Sequence, residues 1–206
     1  MSATKQLALF GTGGHALSVV DILYSNSYSG KFYFVEEHKS IDLYMGYNVY
    51  PRVRNSFDPM FIAIGNNQLR KDLFVQYSDR EHLSIISSRS TISHLAGTGQ
   101  HIFAGHHVHI GPGAFIGDNT IVNTGAIIEH ECQIGQHCHI SINVSIAGQV
   151  SIGDNVFIGA GASIINNISV CSDVVIGAGS VVITSIHEPG TYVGVPAKKV
   201  SNSSAV

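Results

Sequence analysis

The sequence has little charge, five prolines, three cysteines and no tryptophan. Its 206 residues include 11 Lys and Arg against 14 Asp and Glu, a formal charge of -3. No stripe of basic residues alternates with aromatics, so we expect no nucleic-acid partner. Cys132, Cys138 and Cys171 form no Cys-x-x-Cys pair, and we expect three reduced thiols rather than a disulfide framework.

Long hydrophobic runs are missing as well. The first eleven residues, MSATKQLALFG, contain a single lysine and too few apolar residues for a secretion signal. No stretch approaches the roughly 20 apolar residues of a membrane span. We therefore expect a cytoplasmic protein that does not insert into membranes. A hydrophobic content of 44% is enough for one large packed domain or two small ones.

What the sequence has in abundance is a period of six residues. Every sixth residue from Ile86 to Val182 is Ile or Val, apart from Thr98 and Ala104. Four residues further on, a small or β-branched residue recurs from Ala114 onward. Short strands joined by tight turns rich in Gly, Asn and Asp fit this spacing. The period therefore predicts a three-faced parallel β-solenoid over residues 85–187, followed by a C-terminal loop and tail over 188–206.

Residues 1–84 follow a different pattern. The apolar segments QLALF, KFYFV and MFIAI predict strands, and the segments after GTGGHA and within QLRKDLFVQYSD have helical spacing. The stretch through Pro51 and Pro59 is expected to be a loop. Together these elements predict a small β-α-β-β-α domain with a parallel sheet.

The first helix is preceded by a glycine loop. Residues 11–16, GTGGHA, satisfy the dinucleotide pattern G-x-G-x-x-A, and Glu36 and Glu37 follow about twenty positions later. A domain of this size holds only one mononucleotide-binding half, which favours the nucleotide of a sugar nucleotide over NAD. Alternatively, the glycines of GTGGHA bind no nucleotide and only allow the helix to pack closely against the strand.

Both regions carry motifs of a known family. The hexads IGDNTI, IGQHCH, IGDNVF and IGAGAS resemble the left-handed β-helix of the hexapeptide acyltransferases. With GTGGHA, FVEE, FIAIGNNQLRK, VNTGAIIEHECQIGQHCHIS and YVGVPAKKV, the chain resembles the bacterial sugar O- and N-acetyltransferases. It is most similar to the UDP-4-amino-sugar N-acetyltransferases of the UDP-N,N'-diacetylbacillosamine pathway. One departure is Glu36, where the acidic pair of this family begins with Asp.

The resemblance implies a function. It implies a homotrimer with active sites between subunits, acetyl-CoA as co-substrate and no metal. The acceptor would be the 4-amino group of a UDP-linked 4-amino-4,6-dideoxy-N-acetyl-hexosamine, and a sialic acid O-acetyltransferase is the alternative. A non-catalytic nucleotide-sugar-binding trimer is a further alternative.

The resemblance also implies the site residues. His130 would be the general base, because the ordinary pKa of histidine lies near neutrality, and Glu131 would support its imidazolium form. The residues implied to contact acetyl-CoA are His139, Gly148, Ala160, Ile176, Gly177, Ala178, Gly194, Pro196, Ala197 and Lys198. The residues implied to contact the sugar nucleotide are Gly13, Gly14, His15, Glu37, Gly65, Asn66, Asn123 and Glu129.

Twelve histidines on a β-helix also suggest the γ-class carbonic anhydrases, which bind zinc through three histidines. However, His106, His107 and His109 occupy different turn and face positions of one hexad. They are therefore not expected to reach a common metal ion.

Overall fold

The computed structural model describes residues 5–38, 41–55 and 58–200. An N-terminal α/β domain leads into a three-sided parallel β-helix. The elements of the N-terminal domain are β1 Leu7–Phe10, α1 Gly14–Ser25, β2 Phe32–Val35, β3 Leu43–Tyr44, β4 Tyr47–Tyr50, β5 Met60–Ile62 and α2 Asn67–Gln76. Neither helix has the length and apolar run needed to cross a membrane, and these are the two helices of the described residues.

The sheet of the N-terminal domain has the order β3-β4-β2-β1-β5. The three predicted strands, β1, β2 and β5, are parallel as expected. β4, which was not predicted, is parallel to β2, and β3 pairs antiparallel with β4. The prediction of a loop before Pro51 was wrong, because this stretch contains the β3–β4 hairpin. Its turn residues, Met45 and Gly46, have φ of 53° and 80°. Such a turn flanked by tyrosines was the available signal for a hairpin.

The β-helix has three faces. Face 1 consists of β6 Ile85–Ile86, β9 Phe103–Ala104, β12 Ile121–Val122, β15 His139–Ile140, β18 Phe157–Ile158, β21 Val174–Ile176, β23 Gly190–Val193 and β24 Lys198–Lys199. Face 2 consists of β7 Thr91–Ile92, β10 His109–Ile110, β13 Ile127–Ile128, β16 Ser145–Ile146, β19 Ser163–Ile164 and β22 Val181–Val182. Face 3 consists of β8 Gly97–Thr98, β11 Phe115–Ile116, β14 Gln133–Ile134, β17 Ser151–Ile152 and β20 Ser169–Val170.

The chain passes from face 1 to face 2 to face 3 in each coil, and we name the connections corner 1/2, corner 2/3 and corner 3/1. Successive coils are in register, so that Ile128 pairs with Ile146, eighteen positions further on. Residues eighteen positions apart are therefore direct neighbours in space.

The six-residue period forms the core. Every sixth residue from Ala104 to Val182 is buried, and so is each residue four positions later from Ala114 to Ser180. The predicted inward positions are thus confirmed from the second coil onward. A fully buried Ile or Val contributes at most about 1.5–3 kcal/mol, so the stack supplies most of the stabilisation of this domain.

The corners repeat as regularly as the core. Every sixth residue from His101 to Gly179 has a left-handed φ, between 54° and 73°. Gly, Asn, Asp and His tolerate this conformation best, and they occupy all of these positions except Glu131 and Gln149. Three of the histidines, at 101, 107 and 137, lie at such corners, which accounts for part of the histidine content.

The N-terminal domain packs against face 1. Phe103 and Ile121 point outward from this face and share a buried core with α1 and the sheet. At corner 3/1, Nε2 of the buried His101 accepts a hydrogen bond from the amide of Ile62 at 3.0 Å. The two regions therefore share an apolar interface, and a cavity opens at one edge of it.

Candidate active site

A cavity of about 650 Å³ lies where the N-terminal domain meets face 1. It opens at the carboxyl ends of β1, β2 and β5, the edge at which parallel sheets bind ligands. Its lining residues are Gly11, Thr12, Gly13, Gly14, His15, Ser18, Glu36, Ala63, Ile64, Gly65, Leu69, Asn123 and His139.

The glycine loop forms the floor of this cavity. A Cβ atom added to Gly13 or Gly14 would meet nothing within 4 Å, so these positions leave open space rather than permitting tight packing. Gly11 is different, because its φ is +102° and a Cβ there would lie 2.8 Å from Ile64. Gly13 caps the N-terminus of the twelve-residue α1, where free amides favour an anion.

Two partly buried histidines line the cavity together. The rings of His15 and His139 lie 6.4 Å apart, and Nε2 of His15 has no hydrogen-bond partner. Burial, followed by the nearby His139 and Arg70, lowers the pKa of His15 to about 3. Burial is also the main cause that lowers the pKa of His139 to about 4, although its bond to the carbonyl of Gly65 opposes the shift. Both rings are therefore neutral at pH 7.

The two glutamates that follow β2 have different surroundings. Glu36 lines the cavity, and its Oε2 atom is buried without a hydrogen-bond partner. The structure does not bring Glu37 into the cavity: its Oε1 accepts a hydrogen bond from the Tyr77 hydroxyl at 3.0 Å on the outside of the domain. Asn66 is also turned away, because its side chain caps α2 by accepting from the amide of Leu69 at 2.9 Å. Glu36, which sequence reasoning did not select, is the acidic group of this cavity.

His130 and Glu131 lie together at corner 2/3. Nδ1 of His130 is 3.1 Å from Oε2 of Glu131, and the same oxygen accepts from Nε2 of Gln149 at 3.1 Å. The His130 and Glu131 side chains are 52% and 59% exposed. Glu131 has a φ of 59°, an unusual conformation for glutamate. Because every corner residue in this series has a left-handed φ, the histidine and carboxylate pair, not the backbone, distinguishes this corner.

Gly148 lies directly beneath the His130 ring. A Cβ atom at this position would come within 3.0 Å of Cδ2 and closer still to Cε1 and Nε2. Only glycine therefore leaves room for the observed position of the imidazole. The two residues lie eighteen positions apart, on successive coils of the same corner.

A shallow groove of about 430 Å³ runs along face 2 beside this corner. Glu129 lines it, together with Ser145, Ser163 and Asn166. Glu129 therefore faces a different side of the corner from Glu131, and the groove leads along face 2 toward corner 1/2.

Most of the residues predicted to contact acetyl-CoA gather at corner 1/2. Ala160, Gly177 and Ala178 lie in its turns. The segment 194–197 is tied to β22, because Val181 donates to the Gly194 carbonyl at 3.0 Å and accepts from the Ala197 amide at 2.8 Å. The exposed Lys198 follows at the start of β24. The side chain of Ile176 fills the β-helix core, so only its backbone can face a ligand.

The histidine-rich stretch forms other contacts. Nδ1 of His106 is 2.6 Å from the Ser87 hydroxyl, and its Nε2 is 2.9 Å from Asp21. His107 lies at a left-handed corner and His109 on face 2. Across residues 5–38, 41–55 and 58–200, no three or more His, Cys, Asp or Glu side chains are placed to hold a metal ion.

Both regions match known protein families. Residues 6–77 match the family described as PglD N-terminal domain. Residues 131–166 match the bacterial transferase hexapeptide (six repeats), and residues 149–184 match the hexapeptide repeat of succinyl-transferase.

Solved structures resemble the chain along nearly its whole length. GDP-perosamine N-acetyl transferase from Caulobacter crescentus, in complex with CoA and GDP-perosamine, is 28% identical with a TM-score of 0.90, covering 97% of this chain and 99% of that one. The acetyltransferase domain of PglB from Neisseria gonorrhoeae is 26% identical with a TM-score of 0.90, covering 96% and 100%. These similarities confirm the predicted left-handed β-helix behind an α/β domain. The chain is therefore similar to hexapeptide-repeat transferases whose β-helix follows a PglD N-terminal domain.

Proposed function

We propose that this protein is an acetyl-CoA-dependent acetyltransferase that acts on the amino group of a nucleotide-linked amino sugar. The observation that carries the proposal is the combination of a glycine-loop cavity on face 1 with a histidine and carboxylate pair on the β-helix. Structures similar along more than 95% of the chain contain CoA with GDP-perosamine, or acetyl coenzyme A, which supports both substrates.

The cavity on face 1 suits the nucleotide end of the acceptor. The diphosphate would lie at Gly13 and Gly14, where the N-terminus of α1 favours negative charge. The unpartnered Oε2 of Glu36 would accept a hydrogen bond from the nucleoside, whose hydroxyl and N–H groups are donors. The neutral rings of His15 and His139 would face the sugar, which carries no charge apart from its amine.

His130 would act as the general base. As the sugar nitrogen attacks the carbonyl carbon of the thioester, its proton passes to Nε2 of His130, while Glu131 accepts the Nδ1–H bond and stabilises the imidazolium. The new C–N bond replaces the C–S bond. CoA leaves as a thiolate and receives the proton that His130 holds. The amide of Gly148 would donate to the thioester oxygen as negative charge develops there.

We further propose that each active site is built from two chains of a homotrimer. In one chain, the acceptor cavity lies on face 1, whereas His130 lies at corner 2/3, and face 2 separates the two. Most residues expected to contact acetyl-CoA lie at corner 1/2, and Gly148 lies at corner 2/3. His139 was also expected to contact acetyl-CoA, but it lines the cavity on face 1, where we assign it to the sugar. A neighbouring chain would bring its own corner 2/3 to the cavity of the first.

Two experiments test the shared site. Light scattering should give the mass of a trimer. Inactive His15→Ala and His130→Ala proteins, co-expressed so that mixed trimers form, should recover activity, because one type of interface then pairs an intact cavity with an intact base. Each variant alone serves as the control. An active monomer, or mixed trimers as inactive as the parents, would contradict the arrangement.

The preferred acceptor is proposed to be the UDP-linked 4-amino-4,6-dideoxy-N-acetyl-hexosamine. A GDP-linked amino sugar is the second candidate, because GDP-perosamine is bound in the C. crescentus structure. CoA release and product mass should be measured with UDP-4-amino sugars, GDP-perosamine, CMP-sialic acid and free sialic acid. Transfer to an amine identifies an N-acetyltransferase, and the highest kcat/KM identifies the nucleotide. Transfer only to sialic acid hydroxyls, or no transfer at all, would refute the proposal.

A further inference from the structure

Arg70 of α2 is a buried cation that donates to carbonyl and amide oxygens and not to a carboxylate. It is 1% exposed, and its guanidinium donates to six oxygen atoms. In the N-terminal domain these are the carbonyls of Ile64 and Gly65, both at 3.2 Å, and Oδ1 of Asn67 at 2.9 Å. In the β-helix they are the carbonyls of Asn119 at 3.1 Å, His137 at 3.0 Å and Cys138 at 2.9 Å.

This arrangement fixes the geometry between the two regions. A guanidinium has five N–H groups in a rigid plane, and a buried charge is tolerated only if all of them are satisfied. Here all five N–H groups have acceptors. Some of these acceptors lie in α2 and the loop before it, and the others lie at corner 3/1 of the β-helix. Burial lowers the pKa of Arg70 to about 10, so the group stays protonated at neutral pH.

The same contacts reach His139 from two sides. The Gly65 carbonyl that accepts from Arg70 also lies 3.1 Å from Nδ1 of His139. The carbonyl of Cys138, the residue before His139, accepts from the other side of the guanidinium. Because a carbonyl can only accept, Nδ1 must carry the proton. The lone pair of Nε2 then points toward the cavity, where it accepts a long hydrogen bond, at 3.4 Å, donated by Nδ2 of Asn123.

We propose that Arg70 is a positioning residue. It orients the Gly65 carbonyl so that the neutral ring of His139 presents Nε2 to the sugar substrate, where Nε2 can accept a hydrogen bond. The sugar of the proposed acceptor offers matching hydroxyl and amine donors, and this part of the inference rests on the proposed function. The tautomer and orientation of His139 do not depend on the proposed function.

The positive charge of Arg70 also helps to keep His139 neutral. The titratable and charged groups that face His139 are His15 on α1 and Arg70 on α2, and Glu36 lines the same cavity. After burial, the positive charge of Arg70 is a cause that lowers the pKa of both histidines. Loss of the guanidinium should therefore release the His139 ring and also make it easier to protonate.

The wild-type protein provides the first test. In protein labelled with ¹⁵N-histidine, NMR at pH 7 should show His139 as the neutral Nδ1–H tautomer, with the signal assigned by its loss in His139→Gln. An Nε2–H tautomer or a charged ring would overturn the proposal. This measurement needs no substrate, so it stands apart from any failure of the acetyltransferase assay.

Two substitutions separate geometry from charge. Arg70→Lys keeps the charge but cannot reproduce the planar fork, so the tautomers of His139 should mix while the midpoint of its NMR titration stays near that of the wild type. Arg70→Met removes both the charge and the fork, and the midpoint should also move up by about one pH unit. A folded Arg70→Met trimer with an unchanged His139 tautomer and titration midpoint would refute the positioning role. If Arg70→Met does not fold, the Arg70→Lys and wild-type spectra decide the question.

Discussion

Substitution of Gly148 by alanine tests whether His130 acts from the position that the structure shows. The added Cβ would lie within 3.0 Å of the imidazole, whereas carbon atoms in contact prefer about 3.5–4.0 Å. The ring must therefore move by about 1 Å or rotate away. The amide of residue 148 is retained, so the proposed donor to the thioester is not removed by this change.

We expect Gly148→Ala to lower the rate of the reaction and not the stability of the fold. A displacement of about 1 Å in a catalytic group commonly costs about 10²-fold, so kcat for CoA release should fall by about two orders of magnitude. Stability should change little, because the imidazole is half exposed and can turn into solvent. Replacing glycine where the backbone permits it even stabilises by about 0.4–1 kcal/mol. Activity and the urea midpoint should be measured on the same preparation.

The matched control places the same alanine in a protein without the ring. In a His130→Ala background there is nothing for the Cβ atom to displace, so Gly148→Ala should cause no further loss of kcat. Wild-type turnover by the single Gly148→Ala variant would show that the imidazole does not act from this position. An equal additional loss in both backgrounds would mean that the alanine obstructs a substrate instead.

Three further predictions concern the other site residues. His130→Ala should lower kcat by about 10²–10⁴ with little change in melting temperature, whereas Ile128→Ala in the core should destabilise the fold by roughly 2–5 kcal/mol. Glu131→Asn should lower kcat but raise the urea midpoint, because asparagine tolerates the left-handed φ of 59° better than glutamate. Glu36→Ala should raise KM for the sugar nucleotide and leave that of acetyl-CoA nearly unchanged, and Glu37→Ala should have the smaller effect; the reverse order would restore Glu37 to the site.

Acid should weaken the fold through the cavity histidines. Their pKa values in the folded state, about 3 and about 4, lie below the ordinary 6.5, so the unfolded chain binds more protons between these limits. The contribution of these two neutral histidines to the free energy of unfolding should therefore be fully present above about pH 6.5. It should fall as the pH drops toward 4, by at most about 1.4 kcal/mol per pH unit for each histidine. Urea midpoints at pH 7.5 and 5 measure this, and equal midpoints would contradict it.

The β-helix could be predicted in detail because its signal is local and repeated. Each hexad places one Ile or Val inward, and each coil repeats the same register, so an error in one unit is corrected by its neighbours. The N-terminal sheet offers no such redundancy. The hairpin around Met45 and Gly46 depends on a single turn, and its strands are too short for a clear alternation of apolar and polar residues.

The cavity was harder to predict than the fold, because single side-chain directions decide it. At the end of β2, Glu36 and Glu37 point to opposite sides, and the sequence does not show which side faces the β-helix. The role of Arg70 was also hidden, because its partners at corner 3/1 lie about fifty to seventy positions away. A buried arginine in the sequence of a helix has the same appearance as an exposed one.

The surroundings of His130 show where reactive groups can be placed in a repeat fold. Inward positions must hold apolar or small side chains to keep the stack closed, so reactive groups are confined to the faces and corners. At a corner, the neighbours of a residue are the residues eighteen positions before and after it, not the adjacent hexads. Gly148 therefore makes room for His130, and Gln149 supports Glu131, although neither pair is close in sequence. A catalytic corner in such a protein is a column of successive coils, and searching for residues at this spacing should find supporting groups that a linear motif misses.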